Sequence, residues 1–332
     1  MSTEYRPWRE DDDLRLLEVW PDAPSAPAQA FRARLGADDD AAFSRTLVAV
    51  DDGVPVAAGV VYESPWHPRR LWAYVEVAPD RQREGIGREL VARLRDVAAD
   101  APSSVTALRT RVTPGSAGES FATAEGMTPA MRSRVVRVAA GALPEPALGQ
   151  TADGSWVRSV EDLATGSVEL TRAVWEFYRS VHDWDPVAEI GIGAVNRQLL
   201  SDTAGAFGAL VLREGAPGSE GSAPISAFAV SYRPFDPQDP EDRATRFEAA
   251  DVLLGYVPGA SADEASAGDH AGGVAGAGAA VETLLALLVR DYPVELEVDD
   301  SMTPLVAVVD NLLEAGVAHV VTETVTLVDD RV

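Results

Sequence analysis

The clearest chemical signal in the sequence lies between Val75 and Leu90. This segment reads Val-Glu-Val-Ala-Pro-Asp-Arg-Gln-Arg-Glu-Gly-Ile-Gly-Arg-Glu-Leu and holds Gly85, Gly87 and three arginines. Glycines let phosphate oxygens come close to the main chain, and a helix that starts at such a loop offers unpaired N–H groups and the positive end of its dipole. The loop therefore has the chemistry needed to bind a pyrophosphate.

A strand and a helix must hold this loop in place. Leu71–Val77 alternates like a strand and stops before Pro79, whereas apolar residues recur at helical spacing in Arg88–Ala99. The predicted order is strand, glycine loop, helix. The other elements predicted in this half are an extended Tyr5–Trp8, helices near Leu14–Val19, Ala28–Leu35 and Glu119–Glu125, and strands at Thr46–Val50, Val54–Glu63, Val105–Val112 and Ser133–Ala139.

The second half repeats this order of elements with little residue identity, which indicates an internal duplication. We therefore predict an α/β protein with two domains, residues 1–142 and 155–332, joined by a linker at residues 143–154. Each domain is expected to be a mixed, mostly antiparallel sheet flanked by helices. A second glycine-rich stretch, Gly273–Gly278, precedes the predicted helix Ala279–Arg290, but it has glycine where glutamine or arginine is expected.

Composition excludes several classes of function. The 332 residues include no cysteine, which excludes disulfide scaffolds, thiol nucleophiles, Cys-ligated zinc and iron–sulfur clusters. Lysine is also absent, which excludes a Walker loop, and the glycine pattern of a dinucleotide-binding Rossmann site is missing. No apolar stretch is long enough to span a membrane, and the N-terminus does not read as an export signal, so a cytoplasmic location is expected.

The net charge of −25 comes mainly from residues 146–332, which hold 31 acidic residues against 10 arginines. Such a field repels nucleic acid and would attract a cationic or amine-bearing substrate. A solvated acidic surface that keeps the protein soluble explains the same charge. We therefore expect no nucleic-acid partner, and the charge by itself names no substrate.

The segment Val75–Leu90 resembles the acyl-CoA-binding motif of the GNAT superfamily of N-acyltransferases, whose core is Gln/Arg-x-x-Gly-x-Gly/Ala between a strand and a helix. The resemblance covers the order of elements from Tyr5 to Ala139 and reaches the second half by topology alone. It implies tandem GNAT-like domains of which the second is degenerate. An ordinary strand–turn–helix connection is the competing interpretation of the two glycines.

The resemblance also implies roles for the residues of the loop. The pyrophosphate would be cradled by the main-chain amides of consecutive residues, namely Arg83, Glu84, Gly85, Ile86, Gly87 and Arg88. Gln82 would open the loop, while Val77 and Ala78 would pair with the pantetheine arm as an added strand would. Acetyl-CoA is the implied cosubstrate, and no metal is expected.

Candidate catalytic residues follow from the same resemblance. Family members often take the amine proton with a carboxylate on or near the central strand, which implies Glu76 or Glu63. Strand alternation puts Tyr74 on the same face as Glu76, so it joins the candidates. Solvated strand residues remain the alternative interpretation of both glutamates.

The tyrosine that often serves as the general acid in the family is missing, because Ala122 occupies its position. The asparagine found earlier in that motif is also missing, near Gly115. The hydroxyl groups left as substitutes are those of Ser116, Ser120 and Thr123.

An aromatic and acidic tract in the second half offers a possible site for a cation. It comprises Trp175, Phe177, Tyr178, His182, Asp183, Trp184 and Asp185. A helix core is the better explanation of Trp175 and Tyr178, and a metal site at His182 lacks a second ligand motif.

The resemblance thus implies an N-acetyltransferase that moves an acetyl group from acetyl-CoA to a primary amine, and the acidic second half favours a small molecule over a protein N-terminus or lysine. The missing tyrosine and the degenerate second half leave a non-catalytic acyl-CoA-binding or scaffold module as the alternative. Nothing in the sequence predicts the oligomeric state.

Overall fold

The computed structural model of the protein describes residues 3–22, 24–154, 156–215, 223–232, 249–259 and 270–330. They form two compact units, each an α/β arrangement of a mixed sheet and helices, which confirms the predicted fold class. Unit 1 is Met1–Arg132 with Trp184–Ala188 and Thr324–Val332, and unit 2 is Ser133–Asp183 with Glu189–Glu323. The units are thus discontinuous in sequence, whereas the boundaries at residues 142 and 155 follow sequence order.

The sheet of unit 1 is antiparallel except at one pair of neighbouring strands. Its strands, in spatial order, are β1 (Glu4–Pro7), β2 (Ser44–Asp51), β3 (Val54–Tyr62), β4 (Leu71–Val77), β5 (Leu108–Val112) and the end of the last strand, β13 (Ala318–Asp329). β4 and β5 run parallel, and β13 pairs antiparallel with β5 from Val325 to Asp329. The chain therefore completes this sheet with residues from its far end.

Helices cover both faces of the unit 1 sheet. They are α1 (Asp12–Leu17), α2 (Ala26–Arg32), α3 (Ile86–Ala98) and α4 (Ala117–Ala124). Leu16 of α1 packs with Val48, whereas Leu90 of α3 packs with Ala49, the next residue of β2. Because neighbouring strand residues point to opposite faces, α1 and α3 lie on opposite sides of the sheet.

Helix α3 packs closely against the sheet at Gly59 of β3. A Cβ atom at this position would lie 2.9 Å from Leu94 Cδ1 and 2.9 Å from Val75 Cγ2, closer than such atoms can approach. The missing side chain therefore lets α3 rest against the main chain of β3 and fixes its position relative to β4.

The segment Trp184–Ala188 belongs to unit 1 through a buried carboxylate. Asp185 is fully buried and accepts hydrogen bonds from Arg70 Nη1 at 2.9 Å and from Arg109 Nη1. His67 Nδ1 lies 2.7 Å from the main-chain oxygen of Asp185. The guanidinium of Arg109 also stacks over the Trp72 ring at 4.0 Å, so one carboxylate organises several cations.

Unit 2 repeats the strand arrangement of unit 1. Its strands, in spatial order, are the end of β6 (Thr128–Val138), β12 (Val294–Asp299), β11 (Ala250–Tyr256), β10 (Ile225–Tyr232), β9 (Ala206–Arg213), β8 (Trp156–Asp162) and β7 (Gly149–Gln150). β11 and β12 are the parallel pair, as β4 and β5 are in unit 1. The duplication predicted from element order therefore holds at the level of strand pairing.

The helices of unit 2 are α5 (Val168–Val181), α6 (Ile192–Val195), α7 (His270–Leu288) and α8 (Thr303–Glu314). A single π-helical turn, Asn196–Leu200, continues α6. The core of unit 2 includes the edge-to-face pair Phe177 and Phe228, and the Phe228 ring covers Gly255 on β11, where a Cβ atom would lie 2.4 Å from Phe228 Cζ. The unit therefore has an apolar core of its own.

We expect Asp185→Asn to lower the free energy of unfolding by about 3–5 kcal/mol, because it removes a buried charge that pairs with Arg70 and Arg109. The matched control is Asp330→Asn. Asp330 also pairs with Arg70, but its side chain is 58% exposed, so this variant should cost less than about 1 kcal/mol. Urea denaturation followed by tryptophan fluorescence measures both, and equal losses in the two variants would contradict the assignment.

Candidate active site

Strands β4 and β5 part soon after they begin. They pair at Leu71 with Leu108 and at Trp72 with Arg109, while on its other edge β4 remains paired with β3 as far as Val77. Within the part of the chain that the structure describes, the edge of residues 73–77 that faces β5 has no strand partner. An extended molecule with amide groups could pair along this edge as an added strand would.

The glycine loop begins where the open edge of β4 ends. A short 3-10 turn, Pro79–Arg81, leads to Gln82, whose Nε2 donates to Val77 O at 3.2 Å. Arg83 and Gly85 then take left-handed main-chain conformations, with φ of 67° and 88°, and α3 starts at the next residue, Ile86. The two left-handed residues reverse the chain, and the first turn of α3 therefore lies at the end of β4.

The main-chain amides of this loop point away from the protein's own acceptors. The first amide of α3 that donates to the main chain is that of Glu89, to Gly85 O at 3.1 Å. Among the described residues, the amides of residues 83–88 donate to no protein acceptor. Unpaired amides at the positive end of a helix of 13 residues are suited to an anion such as a pyrophosphate.

Gly87 serves a different purpose from Gly85. A Cβ atom at Gly87 would lie in ordinary van der Waals contact, 3.4 Å from the Phe121 ring and 3.5 Å from Val77 Cγ2, so the start of α3 lies close to β4 and α4 here. A Cβ atom at Gly85 would meet nothing within 4 Å, and there the positive φ favours glycine.

The three arginines of the loop are not equivalent. Arg81 forms ion pairs with Asp51 at 2.6 Å and with Glu84 at 3.0 Å, and Arg88 pairs with Glu125 at 3.0 Å. Arg83 forms no ion pair with any residue that the structure describes. Its guanidinium is therefore available for a phosphate, whereas Arg81 is committed to holding the loop against β2.

Ala78 is placed differently from its predicted role. Its amide donates to Val56 O at 2.8 Å, its carbonyl accepts from Arg81 N at 2.9 Å, and its side chain is buried. The main chain of Ala78 is therefore already engaged, and the open edge that ends at Val77 is the part of β4 left for an added strand.

Glu76 and Tyr74 lie together on the face of β4 that α2 covers. The two carboxylate oxygens of Glu76 accept hydrogen bonds from Arg32, at 2.5 and 2.8 Å, and Oε2 also accepts one from the Tyr74 hydroxyl at 2.6 Å. The Phe31 ring stacks on Tyr74 at 4.8 Å between centroids. The predicted pairing of Tyr74 with Glu76 on one face is thus what the structure shows, whereas Arg32 was not singled out from the sequence.

Burial, followed by the charge of Glu76 and its hydrogen bond, raises the pKa of the Tyr74 hydroxyl well above its usual range. The hydroxyl therefore stays protonated at neutral pH and acts as a hydrogen-bond donor.

Glu63 lies at the other end of the sheet from Glu76. It follows Tyr62, which pairs with Trp72, whereas Glu76 pairs with Ala58. Five residues of strand, about 16 Å, therefore separate the two glutamates. Glu63 Oε1 accepts a hydrogen bond from Ser103 N at 3.0 Å, which ties down the connection between α3 and β5.

Helix α4 offers no tyrosine at the expected position. Ala122 is buried in the core, and Ser116 caps the helix by accepting a hydrogen bond from Glu119 N at 3.2 Å. Ser120 Oγ donates to Ser116 O at 3.3 Å, and Thr123 is exposed. Gly115 takes a positive φ of 71° at the start of this turn. The serines therefore hold α4 together, and among the described residues of this helix Thr123 is the one whose exposed hydroxyl forms no hydrogen bond within the protein.

The aromatic and acidic tract of the second half does not form a single cluster. Tyr178 stacks on Trp175 at 5.9 Å and on His182 at 4.1 Å, while Phe177 is buried in the core of unit 2. Asp185 instead pairs with Arg70 within unit 1. The described residues contain no group of side chains that could hold a metal ion.

The second glycine-rich stretch is helical, which corrects the expectation of a loop. Gly273–Gly278 lies inside α7, which starts at His270 rather than at Ala279. Interior amides of a helix donate to carbonyls four residues earlier, so the amides of residues 274–278 are used within α7 itself. The run of alanines and glycines contains no proline, and the packing of its continuation, including Val281 and Leu284, in the core of unit 2 is enough to extend the helix. The insertion ahead of it, residues 260–269, lies outside the described residues.

None of the helices in the described part of the chain combines the length and the apolar composition needed to cross a membrane.

Comparison with known proteins agrees with this geometry. The acetyltransferase (GNAT) family matches residues 5–116, and no curated protein matches the sequence. A GCN5-related N-acetyltransferase from Sphaerobacter thermophilus is 16% identical with a TM-score of 0.56, over 98% of this chain and 95% of that one. A tandem GNAT protein from the clavulanic acid biosynthesis pathway, solved without AcCoA, is 17% identical with a TM-score of 0.53, over 99% of this chain and 98% of that one.

At such identities the two structures show the fold alone. The family match concerns residues 5–116 in the first half of the chain. Members of this family transfer an acyl group from acyl-CoA to an amine. Residues 5–116 thus match the acetyltransferase (GNAT) family, and the chain is similar in fold to these two proteins over nearly all of its length.

Proposed function

We propose that the protein transfers an acetyl group from acetyl-CoA to the primary amine of a small molecule. The observation that supports this most is the parting of β4 from β5 directly beside a loop with open amides. An extended amide chain with a pyrophosphate at one end is the shape that these two features accept together. Acyl-CoA has that shape.

The cosubstrate would bind through the main chain more than through side chains. The amides of residues 83–88 would hold the pyrophosphate, with the guanidinium of Arg83 nearby. The pantetheine amides would pair along the open edge of residues 73–77. The thioester would then lie in the opening between β4 and β5, near Tyr74.

Glu76 is our choice for the general base. In the reaction the amine nitrogen attacks the thioester carbonyl carbon, loses a proton, and the C–S bond breaks to release the CoA thiolate. Glu76 lies on the central strand and its orientation is fixed by Arg32 and Tyr74. The Tyr74 hydroxyl, which remains protonated and donates to Glu76 at 2.6 Å, lies beside this base and could turn to hydrogen-bond the departing thiolate.

A second function, a non-catalytic acyl-CoA-binding module, is favoured by one observation. Ala122 is buried at the position where family members often have a tyrosine that serves as the general acid. Turnover separates the two functions, because a binding module retains acetyl-CoA and releases no thiol when amines are added.

The direct test is calorimetric titration of the full chain with acetyl-CoA, followed by thiol release with a panel of small amines. We expect one site per chain, because α7 encloses the second glycine stretch, and thiol release with at least one amine. Binding without release from any amine would favour the binding module. Absence of binding would overturn the proposal.

Gly85→Asp should abolish acetyl-CoA binding, because a carboxylate would stand at the open amides and repel the pyrophosphate. The matched control is Gly85→Asn, which has nearly the same shape, tolerates the positive φ of 88° and carries no charge. We expect the asparagine variant to bind measurably more tightly than the aspartate variant. Equal affinities in two folded variants, measured by calorimetry, would contradict a phosphate site at this loop.

Glu76→Gln should lower kcat by about 100-fold or more, because the amine loses its proton acceptor, while the Kd of acetyl-CoA stays unchanged. Glu63→Gln is the matched control, since Glu63 holds a loop about 16 Å away along the sheet. Steady-state thiol release with the best amine of the panel measures both variants. A kcat that survives in Glu76→Gln would remove this residue from the base role.

A further inference from the structure

The face of the unit 1 sheet that carries Glu76 also carries an unusual number of arginines. Arg109 and Arg111 alternate onto this face of β5, next to Trp72 of β4. Their guanidinium carbons lie 4.0 and 5.8 Å from the Trp72 ring centre. Because β5 leaves β4 after Arg109, Arg111 follows on the part of β5 that borders the opening, and its side chain stays near Trp72.

A further cation reaches the same place from the end of α2. The guanidinium of Arg34 lies 5.4 Å from the ring centre of Tyr62, which pairs with Trp72 across β3 and β4. Burial raises the pKa of the Tyr62 hydroxyl, and the charges of Arg34, Arg109 and Arg111 oppose that rise. These three arginines therefore lie around two neighbouring rings, those of Tyr62 and Trp72.

The carboxylates on this face do not balance the arginines. The carboxylate of Glu76 forms an ion pair with Arg32, and that of Asp185 forms ion pairs with Arg70 and Arg109. Arg34 and Arg111 form no ion pair with any carboxylate that the structure describes, and the one polar contact of Arg111 is a weak one to Thr326 Oγ1 at 3.4 Å. This face therefore has an excess of positive charge although the chain as a whole carries −25.

We propose that the acceptor amine also bears an oxyanion, a carboxylate or a phosphate, which Arg34 and Arg111 hold while the amine faces Glu76. This inference rests on the proposed acetyl transfer and narrows its substrate class from any small amine to an extended zwitterion. Its ammonium and its oxyanion must be well separated, because Trp72, beside the arginines, is four residues, about 13 Å, from Glu76 along β4. Guanidinium groups suit oxyanions because they donate paired hydrogen bonds in one plane, and the nearby Trp72 ring shields the contact from water.

The inference differs from what the charge of the whole chain suggests. The acidic excess of residues 146–332 predicts a cationic substrate. That excess is a sum over many residues, however, and it does not give the sign of the charge at one site. At the opening between β4 and β5 the nearest uncompensated charges are positive. A substrate with both an ammonium and an acidic group satisfies Glu76 and the arginines at once.

The first test compares substrates of matched length in the thiol-release assay with the full chain. The panel contains α-amino acids, straight-chain amino carboxylates of two to six carbons, the corresponding aminoalkyl phosphonates, alkylamines and diamines. We expect kcat/KM to be at least about 10-fold higher for an acidic amine than for the alkylamine of equal length, because each charged hydrogen bond contributes substantially. Comparison of carboxylates with phosphonates identifies the preferred oxyanion.

The second test uses Arg34→Gln and Arg111→Gln. Each should raise KM for the preferred acidic amine about 10-fold to 100-fold, while kcat/KM for alkylamines and the Kd of acetyl-CoA stay unchanged. Arg93→Gln is the matched control, since Arg93 pairs with Glu89 on the opposite face of the sheet. Arg111→Glu should shift the preference from amino carboxylates to diamines.

Four outcomes would overturn the inference. A preference for alkylamines or diamines in the unmodified protein would do so while leaving acetyl transfer intact. An equal loss for acidic and neutral amines in the arginine variants would show a structural role, and weaker acetyl-CoA binding would assign these arginines to the cosubstrate. If no amine of the panel leads to thiol release, the proposed function is overturned, and this inference with it.

Discussion

The arrangement of unit 1 depends on β4 being held firmly on one edge while its other edge is left open. Pairing with β3 along the whole of β4 supplies part of this hold. The rest comes from α3, which rests against the main chain at Gly59 with no side chain between. Because α3 is fixed there, its first turn must lie at the end of β4, and the open amides lie beside the open edge.

Alternation along β4 then separates two tasks. Leu71, Ala73 and Val75 face α3 and belong to the apolar core, while Trp72, Tyr74 and Glu76 face α2. A strand with this alternation can be well packed on one side and chemically reactive on the other. Arg32 of α2 links the two layers, since it binds Glu76 and also lies over the Trp20 ring at 4.9 Å.

Local sequence patterns were enough to predict the features that depend on neighbouring residues. The glycine loop, the strand before it, the helix after it and the shared face of Tyr74 and Glu76 follow from spacing and alternation. The pairing of β13 with β5 and the burial of Asp185 beside Arg109 join residues far apart in sequence, and no local period encodes them.

The helical state of Gly273–Gly278 was missed because glycine has a low helix propensity, which tertiary packing overrides here. The arginine face was missed because Arg34, Arg109 and Arg111 come together only when α2 and β5 are placed on the sheet.

The pairing of the last strand, β13, with β5 of unit 1 has a consequence for synthesis of the protein on the ribosome. Val112 of β5 emerges about 210 residues before Val325, the partner with which it pairs. Until then β5 has an open edge beside apolar side chains such as Leu108, the kind of edge that invites pairing with other chains. The nascent first unit therefore cannot close its own sheet, and its maturation is timed by the arrival of the residues that follow Glu323.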